Sequence, residues 1–149
     1  MRDFEPSSHN QARHCAMDYL ARREHACLEL KNKLIRKGFI ENVVDEVLSK
    51  LRTDRLLSDE RFAESYIRYR TKKGFGPIRI KQELRQRGIT GDLVSEQLNG
   101  NEDFWITQVQ QVYKKKFGSN SPKNDKELAK HMRFLQTRGF TSSQIKTVF

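Results

Sequence analysis

The chain has 149 residues, 36% hydrophobic and 32% charged, with 29 Lys/Arg against 19 Asp/Glu for a formal net charge of +10. That length suits one or two small domains, the polarity argues for a thin or elongated core, and no run of about 18 apolar residues offers a membrane-spanning helix. The basic balance favours a polyanion or an acidic protein surface as partner. It rises along the chain: residues 1–57 hold 11 basic and 9 acidic side chains, 58–100 hold 9 and 6, and 101–149 hold 9 and 4.

The opening residues, MRDFEPSSHNQ, hold acids and no apolar segment, so they do not read as a signal peptide, and a cytoplasmic location with no membrane contact is expected. A first helix is predicted from His9 to Arg23. Cys15 beside His14 and Cys27 beside His25 lack the tight ligand pairs of a structural zinc site, and two cysteines make no disulfide framework. Reduced, half-buried thiols and no metal are expected. Leu30 and Leu34, then Val43, Val47 and Leu51, recur at three and four, the spacing of a helix face. After RTDRLL, Ser58 followed by Asp59 and Glu60 signals the start of a helix running to Lys73, with Phe62, Tyr66 and Tyr69 on one side.

The stretch KKGFGPIRIKQELRQRG, Lys72 to Gly88, invites comparison with a phosphate-binding loop. Such loops need a strand, a glycine turn and a helix, so that several backbone N–H groups face one anion. Here a helix precedes the turn, and neither G-K-[ST] nor G-x-G-x-x-G is present. GFGP therefore reads as a joint. Gly74 ends one helix, Gly76 allows the turn, Phe75 plugs the junction, and Pro77 opens the next helix, where its missing N–H costs nothing.

Asn99-Gly100-Asn101 marks a turn before a helix predicted from Asn101 to Phe117. Its Lys114-Lys115-Lys116 cluster lies between Tyr113 and Phe117, which read as core aromatics rather than base-stacking platforms. GSNSPKND, Gly118 to Asp125, is the most polar loop and a hinge candidate. Leu128, Met132 and Leu135 follow at helical spacing, and Thr141 with Gln144 makes a capping box before the last helix.

Gly38, Gly88 and Gly139 each follow a basic residue at a predicted helix end, and they lie 50 and 51 residues apart. Aligned on them, the flanks agree. Four before stands Leu34, Leu84 or Leu135; one after, Phe39, Ile89 or Phe140. Six after stands Val44, Val94 or Ile145; ten after, Leu48, Leu98 or Phe149. Eight before, Leu30 and Ile80 match but His131 breaks the pattern. Three internal repeats follow. Thr90 occupies the second repeat's equivalent of the Thr141 cap, and Ile40 makes a weaker start in the first. The expected fold is all-α: three tandem three-helix repeats at 1–57 (with an N-terminal tail), 58–100 and 101–149, in an elongated, curved, solenoid-like rod. Solution scattering should then give a radius of gyration clearly above the roughly 15 Å of a compact chain this long; a compact value would refute the rod.

From Arg68 to Arg87 there are eight basic residues against one acid, Glu83. Ordinary surfaces mix signs to avoid self-repulsion. At 100° per residue, Arg61, Arg68 and Lys72 share the face opposite Phe62, Tyr66 and Tyr69, while Lys81 and Arg85 form an i, i+4 pair facing away from Ile80 and Leu84. The candidate partner-binding residues are Arg61, Arg68, Arg70, Lys72, Lys73, Arg79, Lys81 and Arg85, with a plain solvated face as the alternative. No helix aims Asn, Gln or Arg at base edges, so nucleic-acid binding on this surface would be sequence-independent. No nucleophile–base pair or pocketed carboxylate pair is present, and His9, His14, His25 and His131 are scattered. Neither an enzyme nor a cofactor is expected.

SDERFAESYIRYRTKKGFGPIRIKQELRQRGI, Ser58 to Ile89, resembles the central signature of the RecX regulatory proteins in Asp59, Arg61-Phe62-Ala63, Tyr66, Arg70, Gly76-Pro77, Arg79-Ile80, Leu84 and Gly88. YLARREHACLELKNKLIRKGF resembles the family's first repeat in Arg22-Arg23-Glu24-His25, Glu29-Leu30, Lys33-Leu34 and Lys37-Gly38. FLQTRGFTSSQI resembles its closing motif, so the resemblance spans about Cys15 to Phe149. One departure is Ala26, where the family often has serine, a better helix cap. The resemblance implies an all-α, non-enzymatic protein of tandem three-helix units, expected to be a monomer. Its implied partner is the RecA recombinase filament on single-stranded DNA. In the filament's groove it restrains recombinase, ATPase and co-protease activity, in homologous recombination, DNA repair and the SOS response. Some members also bind DNA directly. The other reading is a stand-alone, sequence-independent nucleic-acid-binding helical-repeat protein.

Overall fold

The computed structural model describes residues 3–149, so Met1 and Arg2 of the expected N-terminal tail lie outside the described residues. Among the described residues there are nine α-helices and no strand: α1 His9–Arg22, α2 Cys27–Arg36, α3 Glu41–Thr53, α4 Asp59–Lys72, α5 Pro77–Gln86, α6 Asp92–Asn99, α7 Glu102–Phe117, α8 Asp125–Arg138 and α9 Ser142–Lys146. They form three tandem three-helix repeats. No helix among them is long and apolar enough to cross a membrane.

Local chemistry sets the helix ends. Ser8, Asn101, Asn124 and Thr141 cap α1, α7, α8 and α9, each side-chain oxygen accepting a backbone N–H three residues on. Ser58 Oγ does the same for Arg61 at the start of α4. Thr90 does not serve as a cap: α6 begins at Asp92 behind Gly91, without a side-chain cap bond. The three repeat-defining glycines all take left-handed φ values, +108° at Gly38, +80° at Gly88 and +99° at Gly139. A Cβ on Gly88 would in addition lie 3.0 Å from Leu28 Cδ2. Gly88→Val is expected to lose roughly 1–3 kcal/mol of stability in denaturant unfolding; full stability would show that this turn does not need glycine.

The repeat alignment reports burial. Leu34, Leu84 and Leu135 are fully buried, and so, to within a few per cent, are the residues one and six after each glycine. Each buried leucine contributes roughly 2 kcal/mol. His131 keeps the burial of its counterparts Leu30 and Ile80, because Phe117 stacks on its ring at 3.7 Å and the Tyr113 hydroxyl hydrogen-bonds Nδ1 at 2.9 Å. Phe149 departs from Leu48 and Leu98: it lies beyond the end of the five-residue α9, is 46% exposed, and meets the Tyr113 ring edge-on.

Packing divides the chain into two compact units, one running through Ser65 with Arg87–Ile89, the other comprising Tyr66–Gln86 with Thr90–Phe149. In the first, α1, α2 and α3 enclose Ala12, Ala16, Leu30, Leu34, Val44, Leu48 and Leu51. Alanines on α1 leave room for the branched side chains of α3. Ala26 has no side chain with which to cap α2, but two carboxylates satisfy the amides at its start. Glu29 Oε1 accepts the Ala26 N–H at 3.3 Å, and Asp59 Oδ1, from the first residue of α4, accepts the Cys27 N–H at 2.8 Å. Cys15 and Cys27 are free thiols, both raised in pKa by burial.

His25 is 1% exposed. Its Nδ1 lies 3.0 Å from the Arg23 carbonyl and its Nε2 2.9 Å from Lys33 Nζ. An ammonium only donates, so Nε2 accepts and Nδ1–H donates to the carbonyl, which fixes the neutral tautomer. Burial, aided by the Arg23 and Lys33 charges, pushes the imidazole below its ordinary value of 6.5. The unfolded chain therefore binds the proton more readily. The contribution is intact above pH 6.5 and is lost as pH falls through the depressed folded-state value. Unfolding free energy should decline between pH 7.5 and pH 5, above the carboxylate range, and His25→Gln should flatten that slope.

In the second unit Trp105 is buried, its indole N–H donating to the Leu98 carbonyl at 2.7 Å. GFGP is a joint, of a different kind from the one expected. Gly74 ends α4 at φ +91° and Pro77 opens α5. Gly76, however, serves close approach rather than turning: its N–H donates to the Arg138 carbonyl at 2.7 Å, and Ile78 N–H donates to the Gly139 carbonyl at 2.9 Å. Phe75 is not an apolar plug. Its half-buried ring carries the guanidinium carbons of Arg70, Arg79 and Arg138 at 3.9, 4.3 and 4.9 Å from its centroid.

Candidate functional site

The eight sequence-selected cations fall into two groups. Arg61, Arg70 and Arg79 are half-buried and engaged. Arg61 Nε pairs with Glu24 Oε1 at 3.0 Å within the first unit. Arg70 Nε pairs with Glu83 Oε1 at 2.9 Å, and the Tyr66 hydroxyl donates to the same carboxylate at 3.2 Å. Arg79 donates to the Thr137 carbonyl at 3.2 Å and stacks on Phe75. The Arg70 and Arg79 bonds hold the end of α4, α5 and the end of α8 in register around the joint. Arg68, Lys72, Lys73, Lys81 and Arg85 are exposed. None of these five has a carboxylate partner among the described residues; Lys73 lies over the Tyr69 ring at 5.7 Å. Tyr69, expected on the apolar side of α4, is 55% exposed. On α5, Ile80 and Leu84 are fully buried, while Ile78, 46% exposed, stands at i, i+3 and i+7 spacing with Lys81 and Arg85.

The charge is uneven. Residues 66–86 and 90–149 hold 16 Lys/Arg against 7 Asp/Glu, whereas the other unit's sequence holds 13 against 12. In that first unit cations meet acids, as Arg13 meets Asp54, Arg23 meets Glu29, and Lys31 meets both Glu41 and Asp45.

The sequence-selected set omitted Lys115, Lys116 and Arg138. Together with Lys72 and Lys73 they line one open cleft of about 570 Å³, formed by the end of α4, α7 and α8. The signal was present in the sequence. Gln108, Gln111, Val112, Lys115 and Lys116 are spaced i, i+3, i+4, i+7 and i+8, a stripe on one helix face that is polar except for Val112. Reading Lys114-Lys115-Lys116 as one block hid the fact that only the last two lie on that stripe.

Three family models match the chain in order: the first three-helix domain of RecX over residues 12–51, the second over 58–98 and the third over 103–149. Regulatory protein RecX of Halorhodospira halophila is 42% identical over 134 residues, covering 90% of this chain and 83% of that one. The chain belongs to the RecX family. The Pseudomonas entomophila Regulatory protein RecX is 39% identical over 133 residues, covering 89% of this chain and 86% of its own. Among solved structures, a crystal structure of regulatory protein RecX superposes with a TM-score of 0.81 at 27% identity, over 94% of this chain and 70% of that one. RecX from Lactobacillus salivarius superposes at 0.80 over 94% and 93%; at 23% identity it speaks for the RecX fold alone.

Proposed function

We propose that this RecX-family protein binds the RecA recombinase filament on single-stranded DNA, lies in its helical groove across neighbouring subunits, and restrains its recombinase, ATPase and co-protease activities. It acts by contact, as a cytoplasmic monomer without a cofactor. Family membership implies a regulatory role linked to RecA. The observation that carries the contact is the outer face of α5, where exposed Ile78 shares helical spacing with Lys81 and Arg85. An apolar side chain among cations suits a protein surface of opposite charge, with the apolar group as anchor and the charges as rim. Many modest contacts along one polymer multiply through effective concentration.

Co-sedimentation with RecA filaments, compared with naked single-stranded DNA over a range of salt concentrations, tests the reading. The protein should pellet with the filament at salt concentrations that release it from naked DNA. Equal retention on both would replace this reading with a nucleic-acid binder indifferent to the recombinase.

A further inference from the structure

We infer that the cleft formed by the end of α4, α7 and α8 seats the phosphodiester backbone of a single nucleic-acid strand without reading its bases. The inference rests on the proposal that the protein works on a filament carrying single-stranded DNA, but it assigns the DNA contact to Lys115 and Lys116, residues outside the α5 face. Lys72, Lys73, Lys115, Lys116 and Arg138 line the cleft, and no acidic residue does. No carboxylate pairs with any of the five among the described residues. The concentration of like charge in this unit is thus uncompensated where the surface is concave, and a low-dielectric wall strengthens the field felt by an anion there.

The lining distinguishes among anionic partners. An acidic peptide would gain affinity from an aromatic or aliphatic anchor, and stacked bases would need an open ring face. Phe134, the ring in this cleft, offers neither, and the aliphatic part of the lining is one small side chain, Val112. Lys116 Nζ and the Arg138 guanidinium carbon lie over it at 5.5 and 5.1 Å, and Phe117 meets it edge-on at 5.5 Å. Arg138 is itself held, donating to the Lys73 carbonyl at 3.3 Å and stacking on Phe75 at 4.9 Å. What stays adjustable is a set of lysines, point charges on flexible stems that suit phosphates in many orientations. Gln108 and Gln111 add amides, and Thr71, 9% exposed in the same lining, has a buried hydroxyl with no hydrogen-bond partner among the described residues.

The experiment is fluorescence anisotropy of a labelled 20-residue oligothymidylate across a salt series. Lys115→Ala with Lys116→Ala should weaken binding at least tenfold at low salt and reduce the salt slope by about 1.4, the value for two lost single-strand phosphate contacts. The melting temperature should stay put. Arg68→Ala with Lys81→Ala and Arg85→Ala should leave oligothymidylate affinity within about twofold of the parent. Parent-like oligothymidylate binding by the Lys115/Lys116 variant, or no binding by the parent, overturns the inference. So does displacement of the strand by ATP or by polyglutamate at equal charge, which would make the occupant a free nucleotide or an acidic peptide. Filament co-sedimentation of the same proteins separates the two proposals. Loss of strand binding by the Lys115/Lys116 variant in a protein that never prefers the filament would sink the filament reading and leave the cleft assigned.

Discussion

Gly76→Ala is expected to destabilise the protein by about 3 kcal/mol, from forced overpacking together with strained or broken hydrogen bonds. A Cβ there would lie 2.6 Å from both the carbonyl carbon and the oxygen of Gly139 and 2.7 Å from Phe140 N. Every atom in the way is backbone, so no rotamer change relieves it. The bonds from Gly76 N–H and Ile78 N–H, at 2.7 and 2.9 Å, would have to lengthen as the segments part. Gly91→Ala is the control. Its φ of +85° with ψ of −153° lies where only glycine enters readily, but nothing lies within 4 Å of the added carbon, so backbone strain of about 2 kcal/mol is expected. Urea denaturation of the two variants reads the difference directly. Equal losses would mean that the backbone seam at the joint yields easily.

Replacing Arg68, Lys81 and Arg85 together with alanine should abolish inhibition of filament ATP hydrolysis and weaken filament binding more than tenfold. The fold should survive, because exposed charges contribute little to stability, and Ile80 and Leu84 are left in place to hold α5. Part of the loss should appear in the association rate, which long-range charge governs. The choice of residues follows from the structure. Arg70 and Arg79 cannot be removed without disturbing the Glu83 pair or the Phe75 stack, and Lys72 belongs to the cleft. A triple variant that inhibits as well as the parent would reduce this face to a solvated surface.

Much of the fold could be read from the sequence because each repeat states it again. The glycine register, the leucine four residues before it and the small or branched residue six after it each appear three times, and they correspond to positive φ and full burial. Local capping chemistry was legible at Ser58 and Thr141 for the same reason: donor and acceptor are three residues apart. What escaped was pairing across long separations. Nothing near Phe75 announces that Arg138, far along the chain, will complete a three-guanidinium stack on its ring. Tyr69 kept the spacing of a buried face yet is exposed near the end of α4, where periodicity alone does not tell which turns the neighbouring helices cover. His131 appeared as a break in the pattern until Tyr113 and Phe117 were found around it. The purpose of the basic residues was not legible either: an excess of one sign in sequence does not separate Arg61, Arg70 and Arg79, which are engaged within the fold, from the five cations that face water.

The carboxylate of Asp59 on the first amide of α2 has a consequence for how this architecture can be taken apart. Tandem repeats invite excision at the seams of their sequence pattern, which here would cut near residue 57. Such a fragment would keep every apolar residue of its own bundle and still leave α2 headed by an alanine, its leading N–H without an acceptor. The first repeat therefore takes part of its helix-start hydrogen bonding from the residue that opens α4, and the compact unit it belongs to runs on to Ser65 and takes in Arg87–Ile89. In this chain the sequence repeat and the compact packing unit are offset from one another, so a recombination of repeats between relatives is expected to keep its stability only if the overlap is exchanged as well.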